Sequence, residues 1–366
     1  MGSPNLIPFF GVSRQYENLR DEILNASDIV YRSGKVLDGE FTNEFERRIA
    51  ARCDRQFAVS VNSGTQALIF VLQHLGPVGE VIIPDISFIA TLNSVMMTEH
   101  IPRIVDVDHA GLLDLPNATE TLNDDAIRAI MYVNLYGNII DYDKLRVMAD
   151  FWGKSPMIIE DAAQSFGGRY KGIPSGKLGD VSILSFDPTK NLNNYGSGGM
   201  ILTDDYDLCD SVINFRDNGK HSGHCLPGTN SKMSESDCAQ MLVKLQYFDD
   251  WQTRRTEIAN YYCERMLPFV DVLTPNENVD HAWHKFVIRC IARSKLQNHL
   301  TSKGIETKIH YAEPLHMSAL AQSYTTLSEE SNSYALSKSC LSLPIYPELT
   351  DSEVEYIADS VTSFFR

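Results

Sequence analysis

Residues 57–84 read FAVSVNSGTQALIFVLQHLGPVGEVIIP, and their pattern changes twice. Residues 58–61 form a short apolar run, residues 65–75 carry apolar side chains at helical spacing, and residues 81–84 form a second short run. The stretch therefore reads strand, helix, strand. The same succession continues outward. Residues 104–107, 129–133, 157–160, 181–186 and 200–203 read as further strands, and residues 89–98 and 142–151 as further helices. Seven runs joined largely by helices imply an α/β fold with one large, mainly parallel seven-stranded sheet covered on both faces. In such a sheet ligands belong at the carboxyl ends of the strands.

On either side the character differs. Residues 16–32 and 40–52 have amphipathic helical spacing, with Gly34 and Gly39 between them, and suit an arm packed on the large domain. Residues 233–266 read as one long helix. Beyond it come a strand at 283–290, a helix near 295–303, a strand at 307–310 and a final helix at 351–364. This predicts a smaller C-terminal α+β domain over residues 251–366, after an arm and large domain over residues 1–250. No internal repeat or low-complexity segment interrupts the chain.

At 366 residues and 43% hydrophobic content the chain can bury a substantial core. Its formal charge of −16 disfavours a surface for nucleic acid or an anionic membrane, so neither partner is expected. The seven cysteines are odd in number and include no C-x-x-C pair, which fits a reduced cytoplasm. No run approaches a membrane span, and residues 1–10 lack the charged and apolar regions of a signal peptide. No metal site is expected.

Three segments carry the chemistry. In Ser185-Phe186-Asp187-Pro188-Thr189-Lys190 a lysine leaves a strand end and meets the turn Gly196-Ser197-Gly198-Gly199. A lysine after a strand is ordinarily a solvated surface residue; one held away from water becomes a nucleophilic amine able to form an imine. Glu160-Asp161-Ala162-Ala163-Gln164 ends a buried strand with two acids. Asp161 suits either a helix N-cap or a carboxylate facing a ligand at the strand's end, where it would hold a pyridine nitrogen protonated. Asn62-Ser63-Gly64-Thr65, between strand and helix, suits a cap, or an anion cradle built from backbone N–H groups and a hydroxyl.

Together with Ile7-Pro8-Phe9, Gly39-Glu40, Ser87-Phe88-Ile89-Ala90-Thr91, Tyr136-Gly137, Gly228-Thr229-Asn230, His310-Tyr311 and Ser342-Leu343-Pro344, these segments resemble the DegT/DnrJ/EryC1/StrS sugar aminotransferases over nearly the whole chain. The resemblance implies the pyridoxal-phosphate-dependent transferase fold type I, with residues 1–250 binding the cofactor. It implies Lys190 as the Schiff-base lysine, Asp161 against the pyridinium nitrogen, Phe88 stacked on the ring and Gln164 near the ring hydroxyl. Gly64, Thr65 and Ser185 would hold the phosphate, and Asn230 would reach a neighbouring subunit's phosphate, so a homodimer with shared active sites follows. His310 and Tyr311 match a segment near the sugar-nucleotide site. Ser197 departs from the family, which usually has an acid there, and so does Gln66 after the phosphate-loop threonine.

The implied reaction has two halves. An amino donor, expected to be L-glutamate, leaves its amino group as pyridoxamine phosphate and departs as 2-oxoglutarate. The group then passes to a nucleotide-linked keto-sugar, with a lean toward a 3-ketone, for surface polysaccharide or a related glycoconjugate. Two other readings are a dehydratase using the same cofactor, whose branch has histidine where Lys190 stands, and a non-catalytic cofactor-binding regulator.

Overall fold

The computed structural model describes residues 6–121, 126–151 and 156–366; Met1 to Asn5, the start of the segment read above for a leader, lie outside them. The seven runs form one sheet: β1 (Phe57–Val61), β2 (Glu80–Pro84), β3 (Ile101–Val105), β4 (Ile127–Val133), β5 (Met157–Asp161), β6 (Val181–Ser185) and β7 (Gly199–Thr203). Their order is β1-β7-β6-β5-β4-β2-β3. Strands β2 to β6 pair in parallel, and β7 runs antiparallel to both β1 and β6. The mainly parallel reading is correct. It follows from the connections, since each parallel pair needs a crossover long enough for a helix.

The third strand lies earlier than expected, at Ile101–Val105 instead of 104–107. Pairing with β2 from Glu80–Ile101 to Pro84–Val105 sets its extent. Pro102 is tolerated because β3 is the sheet edge, and Arg103 contacts Glu80 across the pair at 2.8 Å. The strand expected at 307–310 reduces to one bridge between Lys308 and Ser342, because the chain then turns toward the sheet and the His310 carbonyl accepts the Tyr136 hydroxyl. Helices Leu115–Thr121, Tyr206–Arg216 and Asn332–Ser339 were not legible.

Apolar residues cover both faces of the sheet. Val59, Phe70, Leu72, Leu92 and Phe215 pack in one layer, and Ile82, Ile130, Tyr132, Leu145 and Met148 in another. The helix Glu235–Met266 joins two cores. Its Cys238, Met241 and Phe248 pack with Phe45, Phe166 and Phe186, and its Ile258, Tyr262 and Met266 with Phe286, Leu343 and Ile357 of the C-terminal part. Residues 250 and 251 lie within this helix. A second sheet places Phe286–Arg289 between Asp271–Val272 and Cys340–Leu343, antiparallel to both.

Candidate active site

The carboxyl ends of β2, β5 and β6 open on a cavity of about 360 Å³, within the range of small-ligand sites. Its lining brings together Gly64, Thr65, Phe88, Asp161, Gln164, Ser185, Lys190, His310 and Tyr311. Asn230 alone of the expected residues does not line it. It is exposed, in a loop bridged to Asp217.

The strand pleat sorts the two acids of β5, because consecutive side chains leave on opposite faces. Asp161 faces the cavity, where no helix begins after it; its carboxylate accepts the Ala163 N–H at 3.0 Å, a local turn instead of a helix cap. Burial pushes this carboxyl up to about 6, against the Ala163 hydrogen bond and the Lys190 charge. Lys190 is half-buried, and its amine makes no hydrogen bond among the described residues. Burial pushes the amine below the usual lysine range, offset in part by Asp161 and Asp187. The two groups thus act on each other across one cavity.

At the first turn of helix Gly64–His74, Ser63 is the cap: its hydroxyl accepts the Gln66 N–H at 3.1 Å. The capping reading therefore holds for Ser63. Among the described residues it leaves the N–H groups of Gly64 and Thr65 without a backbone acceptor, at the positive end of the helix. The glycine turn makes room for this loop. A Cβ on Gly199 would stand 2.4 Å from the Ser63 carbonyl carbon, and one on Gly64 would stand 3.0 Å from the Ser185 Cβ. Free N–H groups, the Thr65 and Ser185 hydroxyls, a buried carboxylate and a desolvated lysine fit a pyridine ring bearing a phosphate.

Gln164 ties the opposite wall. Its carbonyl oxygen accepts the Tyr136 N–H at 2.9 Å, and its amide donates to the Tyr311 hydroxyl at 3.2 Å. His310 Nδ1 lies 2.9 Å from the Ser342 hydroxyl. Burial, then the charges of Lys285, Lys308 and Lys190, push His310 down to about 3, so it faces the cavity as neutral imidazole. The Tyr311 ring lies 6.3 Å from that of Phe88, which is 56% exposed.

The cavity also takes in His284, Lys285 and Lys308, which sequence reasoning missed. Their segments were read only as strands; the polar pair His284-Lys285 at the start of an apolar run was the available signal. Their position depends on the loop after β4. Ala282 N–H donates to the Gly137 carbonyl at 2.9 Å and Lys285 N–H to the Tyr136 carbonyl at 3.0 Å. Gly137 has φ +105°, and a Cβ there would meet the Trp283 nitrogen at 2.8 Å.

A family model for the DegT/DnrJ/EryC1/StrS aminotransferases matches residues 17–362. The chain is 34% identical to a pleiotropic regulatory protein of Geobacillus stearothermophilus, over 98% of this chain and 99% of that one. It is 35% identical to the dTDP-3-amino-3,4,6-trideoxy-α-D-glucose transaminase of Streptomyces venezuelae, over 97% and 95%. Among solved structures, S. venezuelae DesV in complex with a ketimine intermediate superposes with a TM-score of 0.94 at 33% identity, covering 99% of each chain. NtdA of Bacillus subtilis, with bound cofactor PMP, superposes with a TM-score of 0.90 at 26% identity, covering 99% of this chain and 85% of that one. Matched along almost its whole length, this chain belongs to the DegT/DnrJ/EryC1/StrS aminotransferase family, the pyridoxal-phosphate-dependent sugar aminotransferases.

Proposed function

We propose that the protein transfers the amino group of L-glutamate to the C3 ketone of a nucleotide-linked hexose, releasing 2-oxoglutarate and an amino sugar for surface polysaccharide or a related glycoconjugate. The observation that carries the reading is the one cavity that brings Lys190 and Asp161 together with Gly64 and Thr65, whose N–H groups have no backbone acceptor among the described residues. The name of the S. venezuelae relative supports amination at C3.

Pyridoxal phosphate, when bound, supplies an electron-withdrawing pyridine ring that carries the amino group from one substrate to the other. Lys190 would hold the cofactor covalently through its amine and, when free, would be the base that moves the proton at the reacting carbon. Desolvation suits it to this task, because it keeps a larger share of the amine unprotonated. Asp161 would accept the ring N–H and keep that nitrogen protonated. Gly64, Thr65 and Ser185 would bind the phosphate, Phe88 would cover the ring and Gln164 would lie near its hydroxyl. His310 and Tyr311 face the sugar nucleotide. The exposed Asn230 reaches the phosphate in a second copy, so the working unit is a homodimer with shared sites.

The test is the absorbance of protein supplied with pyridoxal phosphate, before and after L-glutamate, for the parent and Lys190→Ala. The parent is expected to show a long-wavelength band that glutamate shifts to shorter wavelength; the variant lacks that band and loses about 10²- to 10⁴-fold in turnover. Near-normal turnover in Lys190→Ala would refute the assignment. A regulator, the reading favoured by the name of the G. stearothermophilus relative, would bind the cofactor and leave it unchanged by any amino donor.

A further inference from the structure

Lys285 is a buried cation that the reaction described above does not use. It is 5% exposed and lines the cavity with Lys190, Thr189 and His310. Its backbone is pinned to the Tyr136 carbonyl at 3.0 Å, which fixes where its side chain enters the cavity wall. Among the described residues its amine makes no ion pair and no hydrogen bond. What it faces is aromatic: the Phe10 ring centroid at 4.4 Å and the Phe9 centroid at 5.2 Å. Lys308 stands over the same two rings, at 5.2 and 5.9 Å.

Buried lysines are ordinarily paired, because removing a cation from water is costly and ring faces offset only part of that cost. Asp187, whose charge reaches Lys285, is already engaged: its carboxylate accepts the Thr189 N–H at 3.0 Å and the Thr189 hydroxyl at 2.6 Å. An amine fixed in the wall of a cavity, with no carboxylate of its own, is suited to an anion that arrives with a ligand and favours its protonated form. The cofactor's phosphate has its own cradle at Gly64, Thr65 and Ser185. The remaining anions are those of the two substrates.

Distance along the substrates separates them. In an amino-acid donor the α-carboxylate is one bond from the carbon whose amine reacts at Lys190, whereas the phosphates of a nucleotide-linked hexose are several bonds from a C3 ketone. Lys285 and Lys190 line the same cavity. We infer that Lys285 is the residue that binds the α-carboxylate of the amino donor, with Lys308 at its rim as a second positive charge. This inference rests on the aminotransferase reading. The buried amine, held well below the usual lysine range by burial and by the charges of Lys190, Arg255 and Lys308, is stabilised as a cation when a carboxylate arrives.

The holoenzyme and its Lys285→Gln and Lys285→Arg variants are titrated calorimetrically with α-methyl-L-glutamate, which has no α proton and binds without completing transfer. Their absorbance response is followed with L-glutamate, its α-amide and its γ-amide. Loss of one charge-assisted contact weakens the α-carboxylate donors about 10- to 100-fold in Lys285→Gln. Lys285→Arg retains most of the affinity, and Lys285→Gln no longer distinguishes glutamate from its α-amide. An unchanged cofactor band in each variant shows that the site is assembled. Equal binding by the parent and Lys285→Gln overturns the inference alone. So does a loss confined to thymidine diphosphate, used as the probe for the sugar nucleotide's anion. A parent protein that answers no amino donor overturns the aminotransferase reading and this inference with it.

Discussion

Glu160 and Asp161 are neighbours at the end of β5 and have opposite surroundings. The Glu160 carboxylate accepts from Asn134 Nδ2 at 3.0 Å, the Ser175 hydroxyl at 2.9 Å, the Ser182 hydroxyl at 2.6 Å and the N–H groups of Gly176 and Leu178. Asp161 accepts one backbone N–H and otherwise faces the cavity. The pleat puts one acid into a lattice of donors that holds the loops and leaves the other for the ligand.

Replacing each acid by its amide separates these roles. Asp161→Asn keeps an acceptor for the Ala163 N–H and removes the buried charge, so its melting temperature at neutral pH is expected to lie above the parent's while turnover falls by at least about 10²-fold. Glu160→Gln sets an amide N–H₂ among donors and is expected to cost about 3 kcal/mol of stability, read from denaturant unfolding. Equal loss of stability in both would contradict the division.

The pH dependence of the cofactor-free protein follows from the raised Asp161 carboxyl. Below about pH 4 it is neutral in folded and unfolded chains alike. Between that point and about 6 the unfolded chain gives up the proton and the folded one keeps it, so the folded state binds more protons and stability falls as pH rises. Above about 6 the penalty is constant. Asp161→Asn is expected to lose this component, a few kcal/mol in size, in unfolding curves taken from pH 4 to 7. Identical pH profiles for parent and variant would count against the burial of this group.

Two glycines of one turn are expected to respond differently to alanine. At Gly199 the added Cβ would meet the Ser63 carbonyl carbon at 2.4 Å, forcing the loop at Ser63 and Gly64 to move; at Gly196 the nearest atom is Asn194 Nδ2 at 3.5 Å. Gly199→Ala should lower cofactor affinity by more than about 10-fold and destabilise the chain by about 1–3 kcal/mol. Gly196→Ala should leave both within error, as judged by fluorescence titration with pyridoxal phosphate. Matching affinities for the two variants would remove the steric argument.

The seven strands were legible because short apolar runs between helical patterns leave little alternative, and their errors fall where pairing sets the outcome. Ile101–Val105 includes Pro102 and Arg103, which no apolar pattern selects, yet pairing with β2 draws them in. Lys308 lies in an apparent strand that keeps one bridge, because Tyr136 draws the His310 carbonyl away. Nine of the ten expected site residues line one cavity, and the exception, Asn230, was the one expected to act in a second copy.

Local sequence by itself determined the α/β succession, the lysine at the exit of β6, the acids ending β5 and the cap at Ser63, since each depends on side-chain periodicity or on a few adjacent residues. Tertiary structure decided which acid faces the cavity, why Gly199 has to be glycine, and that Lys285, 95 residues after Lys190 in the chain, shares that cavity. Those features depend on contacts between elements far apart in sequence. Periodicity says which face of a strand or helix is buried; it does not say what that face meets.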